Sequence, residues 1–211
     1  MHIADGILTV PVMAVTTTFA VSGVAFGLYR MNVDDIPRVG VMSAAFFVAS
    51  LIHVNIGLSS SHLMLTGVIG MMLGWSVFPA LAMALFLQSI FFGFGGLTAL
   101  GANIVNNAAP AVLCFYLFRL IIGRWRGNPF FSAGFFIGGA GVVLSCFFLA
   151  ATLYLCNEYF LETIVAIMIA HLPIVLIEAF VAGAVISFLH KVRPELLGPA
   201  CQAGSSVSQQ T

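Results

Sequence analysis

The chain opens "MHIADGIL", which sets a histidine beside the free α-amine of Met1 and an aspartate, Asp5, three residues further on. The Met1 amine, the His2 peptide nitrogen and the His2 imidazole can chelate one metal ion, the first two closing a five-membered ring. The peptide nitrogen must lose its proton, which a strongly Lewis-acidic late transition metal induces. Three nitrogens from Met1 and His2 leave one in-plane position, which a histidine from elsewhere could fill. Such an all-nitrogen square plane suits Ni(II) or Cu(II), tolerates Co(II), and suits Zn(II), Mg(II) or Ca(II) poorly. Neither the cationic stretch nor the small-residue cleavage site of a secretory signal peptide is visible. The mature protein is therefore expected to keep Met1 or a residue close to it, so that its amine remains a candidate ligand.

These groups belong to a very apolar chain. Of its 211 residues 61% are hydrophobic and only 7% charged, with mean hydropathy +1.13. A soluble domain carries roughly 25% charged residues, so a water-soluble globule is excluded. Long unbroken apolar runs select membrane-spanning helices over a barrel. Net charge is zero, with no basic run for nucleic acid. Cys114, Cys146, Cys156 and Cys201 follow no metal or disulfide spacing and read as apolar fillers plus one tail thiol.

A spanning helix needs about 20 apolar residues. Seven segments qualify, over 9–29, 37–56, 62–78, 80–95, 103–122, 131–156 and 163–190. The expected architecture is an all-α polytopic membrane protein, a seven-transmembrane-helix bundle. The third and fourth spans, separated by "FPA", read as a tight hairpin, and Pro173 offers a kink in the last. Residues 1–197 are expected to form one transmembrane domain. The small, polar tail 198–211, "GPACQAGSSVSQQT", is expected to be disordered.

The basic residues fall in three places: Arg30 and Arg38; Arg119, Arg124 and Arg126; Lys191 and Arg193. Seven crossings put all three places on one side. The positive-inside rule then sets the N-terminus outside and the C-terminus in the cytoplasm.

This orientation gathers the amine, His2, Asp5, His53 and His62 at the outer face. The glycine-rich "FGFGGLTALGANIVNN" delivers Asn103, Asn106 and Asn107 to the same end. Singly, His53 and His62 read as imidazoles paired to a hydroxyl or carbonyl; together, costly polar groups near lipid suggest a lined cavity. His171 should lie about 13 Å below the outer surface, from 1.5 Å per residue. Glu178, seven residues on and on roughly the same helix face, reads with it as a polar clasp between helices. The chain has no G-x4-G-K-[ST] phosphate loop and no H-E-x-x-H zinc motif. It therefore cannot hydrolyse ATP itself, and an intramembrane metalloprotease is disfavoured.

"MHIADGIL", "SLIHVNIGLSSSHLMLTGVIGMMLGW", "LQSIFFGFGGLTALGANIVNNAAPA" and "HKVRPELL" together resemble the CbiM/NikM family. Its members are the membrane-embedded substrate-binding (S) subunits of cobalt and nickel energy-coupling-factor (ECF) transporters. The match runs from residue 1 to about residue 197. The resemblance implies a seven-helix ECF substrate-binding core with an added N-terminal helix. It implies capture of Ni(II) or Co(II) as transported substrate, without an organic cofactor, at the outer face of a prokaryotic inner membrane. It assigns the metal to Met1, His2 and His62, with Asp5, His53, Asn103 and Asn107 as supporting groups that orient the ligands. It also implies partners: a transmembrane coupling (T) subunit, cytoplasmic ATPase subunits and a small accessory membrane protein. Two stretches depart from the family pattern: "SSSHLMLTG" surrounds His62 where a "TGH" is common, and "FGFGG" has Phe94 where an aspartate is common. The competing readings are a structural membrane subunit or a channel whose outer histidines only hydrogen-bond.

Overall fold

Proline and capping residues set the beginnings of the helices. α1 (Val10–Arg30) and α2 (Ile36–Ala49) carry proline at the first or second helical position. There the missing N–H costs nothing, because the first turn has no intrahelical acceptor. Between them a short 3₁₀ turn (Val33–Asp35) is closed by the Asn32 N–H donating to Asp35 Oδ2 at 3.1 Å. The computed structural model describes residues 2–51, 53–56, 59–122, 129–157 and 161–197. The expectation for the tail 198–211 therefore lies outside the described residues, as do Met1, Arg124 and Arg126.

After α2 comes a two-stranded antiparallel hairpin, β1 (His53–Ile56) and β2 (Ser59–His62), then α3 (Thr66–Leu73) and α4 (Val77–Phe92). α5 (Leu100–Ile122), α6 (Pro129–Cys156) and α7 (Leu161–Val192) complete the bundle. Five stretches are long and apolar enough to cross a membrane: Val10–Arg30, Thr66–Phe92, Leu100–Ile121, Phe130–Cys156 and Ile164–Val192. The protein is a multi-pass, predominantly helical membrane protein.

Seven α-helices occur among the described residues, and several expectations are corrected. The second span stops at Ala49, and its 14 residues cover about 21 Å, short of a hydrocarbon core of about 30 Å. The third does not begin at His62 but at Thr66, and has only eight residues. The intervening "HVNI" and "SSSH" pair as strands, so the chain is not purely helical. Alternating β-branched and small polar residues favour such a pairing over a helix. The chain reverses at Gly74, whose φ of +55° suits glycine, and not at "FPA". Pro79 falls within the first turn of α4, where the backbone N–H groups have no partner to lose. α7 runs through Pro173 as one helix.

Small residues let the helices touch. A Cβ at Gly67 would lie 2.7 Å from the Ile137 carbonyl on α6, and one at Gly27 would lie 2.6 Å from the Trp75 carbonyl. Gly70 sits directly against Ala111 on α5, and Gly134 and Gly138 against α7. α3 and α4 are the inner helices, whereas α1 presents Val15, Phe19 and Val21 outward. Apolar cores lie on both sides of α3, one joining Phe46, Ile69, Leu81 and Leu85, the other Met71, Phe118, Ile137 and Ile186.

Candidate metal centre

The N-terminal segment ahead of α1 is folded into one end of the bundle and fastened at three consecutive levels. His2 is half-buried, and its Nε2 lies 2.9 Å from Oε1 of Gln88 on α4. Gln88 Nε2 donates to Ser50 Oγ at 2.6 Å, and the Ser50 hydroxyl donates to the Phe47 carbonyl at 2.7 Å. The direction of this relay follows from its last member. Because the serine proton is committed to a carbonyl, Ser50 accepts from the glutamine NH₂, which turns Gln88 Oε1 toward the imidazole. A carbonyl oxygen can only accept, so His2 carries its proton on Nε2. In the neutral ring Nδ1 is then the nitrogen without a proton.

Ile3 is clasped on both backbone groups. Its N–H donates to Asn103 Oδ1 at 2.8 Å and its carbonyl accepts from Asn103 Nδ2 at 3.1 Å. The Ile3 side chain is buried in a core with Met64, Ala99, Ala102, Val142 and Cys146. Asp5 accepts from the Thr98 N–H (3.0 Å), the Thr98 hydroxyl (2.5 Å) and the Ala99 N–H (3.3 Å), at the turn leading into α5. Chiefly the Thr98 hydroxyl holds the Asp5 carboxyl below the ordinary aspartate range; desolvation opposes it, and the Thr98, Ala99 and Leu97 N–H groups each add a smaller lowering.

The "FGFGG" loop makes room for this segment. Gly95 and Gly96 have φ of +76° and +64°. A Cβ on Gly95 would lie 2.5 Å from Asn103 Nδ2 and 3.2 Å from the His2 ring, and one on Gly96 would collide with the Asp5 carboxylate. Both backbone conformation and space therefore demand glycine. Phe94, which stands where an aspartate is common, tilts against His2 with ring centroids 6.0 Å apart.

Of the expected site residues, His2, Asp5 and Asn103 thus come together. Asn107 Nδ2 donates to the Asn103 carbonyl at 2.8 Å and braces that turn of α5. Asn106 turns the other way, to Thr152 on α6. Met1 and the side chains of His53 and His62 lie outside the described residues. The backbone register nevertheless pairs His53 with His62 across the hairpin, two residues before Met64, which packs with Ile3. Among the described residues no three His, Cys, Asp or Glu side chains converge.

The deep polar pair separates into two devices. Glu178 on α7 accepts from the Met64 and Leu65 N–H groups, the latter at 2.8 Å, and so caps the N-terminus of α3. A carboxylate is favourable there, where helix N–H groups lack partners and the dipole is positive. Leu65 has φ of +50°, a left-handed conformation rare for leucine, held in place by that cap. His171 Nδ1 donates back to the Ile167 carbonyl at 2.7 Å. Glu178 thus supplies an interhelical clasp, between α7 and α3.

Sequence reasoning missed Gln88, Ser50 and Thr98. Gln88 was open to discovery: an amide inside the apolar run "ALFLQSIFF" must find a buried partner.

Long apolar helices, with the segment ahead of α1 folded among buried amides, define a multi-pass membrane protein. Residues 2–196 match the family model CbiM, described as "Cobalt uptake substrate-specific transmembrane region". The chain belongs to this family, a membrane component of metal uptake and not a catalytic one. It is 36% identical over 209 residues to a candidate metal transport protein of Haemophilus influenzae, covering 93% of this chain and 97% of that one. To the fused nickel transport protein NikMN of Rhodobacter capsulatus it is 31% identical, over 94% of this chain and 64% of that one. To the cobalt transport protein CbiM of Sorangium cellulosum it is 29% identical, over 93% and 94%. A crystal structure of a transition metal transporter superposes with TM-score 0.80 at 25% identity, over 98% of this chain and 99% of that one.

Proposed function

We propose that this protein is the substrate-binding subunit of an ECF-type transporter and captures Ni(II) or Co(II) with its own N-terminus. The ligands are the Met1 amine, the His2 peptide nitrogen, His2 Nδ1 and the imidazole of His62. The observation that carries this reading is the relay from His2 through Gln88 and Ser50 to the Phe47 carbonyl. It protonates Nε2 and leaves Nδ1 unprotonated, the nitrogen nearer the backbone and the one that can join the amine and peptide nitrogen in one chelate. Such outer hydrogen bonds fix ring orientation and raise ligand basicity. The Asn103 clasp on Ile3 supports the same reading, since it holds the backbone next to the peptide nitrogen that must ionise. His53, opposite His62 in the hairpin register, is assigned to orienting or gating the site.

Transport energy comes from partners: a transmembrane coupling subunit and cytoplasmic ATPases, with a small accessory membrane protein. The Rhodobacter relative supports a multi-component system, because this chain spans only 64% of that fused nickel transport protein. The orientation is N-terminus outside and C-terminus in the cytoplasm, in a prokaryotic inner membrane. The arginines support it, since Arg30, Arg38 and Arg119 meet at the end of the bundle opposite His2.

The test is metal analysis of protein purified after growth with nickel or cobalt. About one equivalent per chain, with the d–d absorption of a planar Ni(II) complex or of Co(II), is expected. Protein free of both metals, and unable to bind either on titration, overturns the reading.

A further inference from the structure

The end of the bundle remote from His2 holds a second site. Arg30 from the end of α1, Arg38 from α2 and Arg119 from α5 line one cavity of about 360 Å³ at the α3–α4 reversal. Asp35 is its one acidic lining residue, so the cavity carries a net charge of about +2. None of the three guanidinium groups is in an ion pair; among the described residues that interaction is confined to Arg193–Glu195. Arg30 instead lies over Phe26 at 5.3 Å and Arg119 over Phe115 at 4.9 Å. Arg38 Nε is buried and has no hydrogen-bond partner among the described residues. A buried donor left unpaired is costly; an oxyanion in the cavity would remove that cost.

The surroundings point to a lipid. Trp75 Nε1 donates to the Tyr116 hydroxyl at 2.9 Å at the cavity wall, an arrangement of amphipathic rings typical of the headgroup level. Tyr29, Leu28 and Ile36 stand exposed close by. A second cavity, of about 390 Å³ and almost wholly apolar, follows α1 from Thr17 to Leu28, with Leu100 and Ile104 of α5 across from it. The two cavities share no lining residue, but both border α1, one at its end and one along its length. A phosphate head in the first and an acyl chain following the helix match one lipid.

We infer that the Arg30–Arg38–Arg119 cavity binds the phosphate of an anionic phospholipid, with one acyl chain along α1. Basic pockets between transmembrane helices recognise such headgroups. A zwitterionic choline lipid carries the same phosphate but adds a cation that the net positive cavity repels. The inference rests on the arginine end alone and is independent of the metal reading.

The experiment is native mass spectrometry of the full-length protein, delipidated and titrated with phosphatidylglycerol or phosphatidylcholine, with inorganic phosphate as competitor. Phosphatidylglycerol should be retained about tenfold more strongly than phosphatidylcholine. R38Q and R119Q should each remove most of that preference, and R38K should keep part of it. Arg119 is exposed, so R119Q remains informative where R38Q unfolds, with circular dichroism as the check. Equal retention of the two lipids, or unchanged preference in R119Q, overturns the proposal. Displacement of phosphatidylglycerol by millimolar phosphate assigns the cavity to a soluble anion and overturns the lipid. Loss of a copurifying membrane partner in R119Q, without any lipid preference, assigns it to protein and does the same.

Discussion

The two ends of the bundle treat polarity in opposite ways. Around His2, polar groups are neutral and satisfied: an amide, a hydroxyl and backbone groups in a closed relay, with Asp5 the charged member. Around the α3–α4 reversal they are cationic and underpaired: three arginines share one cavity with one aspartate. An end without arginine or lysine side chains opposes a small cation less. A site of concentrated positive charge suits an anion. The inner helices α3 and α4 run between the two, so the bundle carries a cation-compatible end and an anion-compatible end.

That contrast can be broken most severely at the first residue. A peptide tag placed directly before Met1 converts the amine to an amide and should abolish tight Ni(II) or Co(II) binding with His2 and His62 intact. Isothermal titration of tagged and untagged protein checks it, and equal affinity removes the amine from the site. H2A and H62A should each abolish stoichiometric metal in purified protein while leaving the helical circular dichroism unchanged. Retained metal in either variant excludes that imidazole as a ligand.

Changes to the supporting groups sharpen the contrast. Q88A breaks the relay without touching a ligand and should weaken metal binding about 10–100-fold, the usual effect of losing a group that orients a ligand. E178A leaves the α3 N-terminus uncapped in a buried setting and should cost about 1–3 kcal/mol in thermal or denaturant unfolding. E178Q should cost less and preserve metal binding, because its one carbonyl oxygen can still accept from Met64 and Leu65. If E178Q abolishes metal binding in folded protein, the deep carboxylate belongs to the metal site.

The smallest effect is expected at Asp5. Its folded-state titration is shifted below the ordinary aspartate range, so the unfolded chain binds the proton more readily. The stabilisation is present in full above the ordinary aspartate range and is lost as the pH falls through the lower folded-state value. The melting-temperature difference between wild type and D5N should therefore be flat near neutral pH and shrink in acid. A difference that grows in acid contradicts the assignment.

Most of the architecture was legible because its causes are local or compositional. Apolar runs and scarce charge identify membrane helices, and proline marks the starts of α1, α2 and α6. The stretch 49–66 was misread at its edges, because the apolar residues on either side carried the expected spans 37–56 and 62–78 into it. "HVNI" and "SSSH" instead pair as strands. The gathering of His2, Asp5 and Asn103 at one end was legible because residue type and position in the chain converge there. The i, i+4 relation of Asn107 to Asn103 turns its Nδ2 along its own helix, a contact that residue type alone does not announce.

By itself, the sequence determined that this chain is a multi-pass membrane protein and that prolines open several of its helices. Only the tertiary structure decided which imidazole nitrogen bears the proton and which carboxylate caps the short inner helix. The reason is range: Gln88 meets His2 across 86 positions, and Glu178 meets Met64 across 114. Hydrogen bonds over such separations exist only once packing has excluded water and fixed the partners, and no local pattern encodes them.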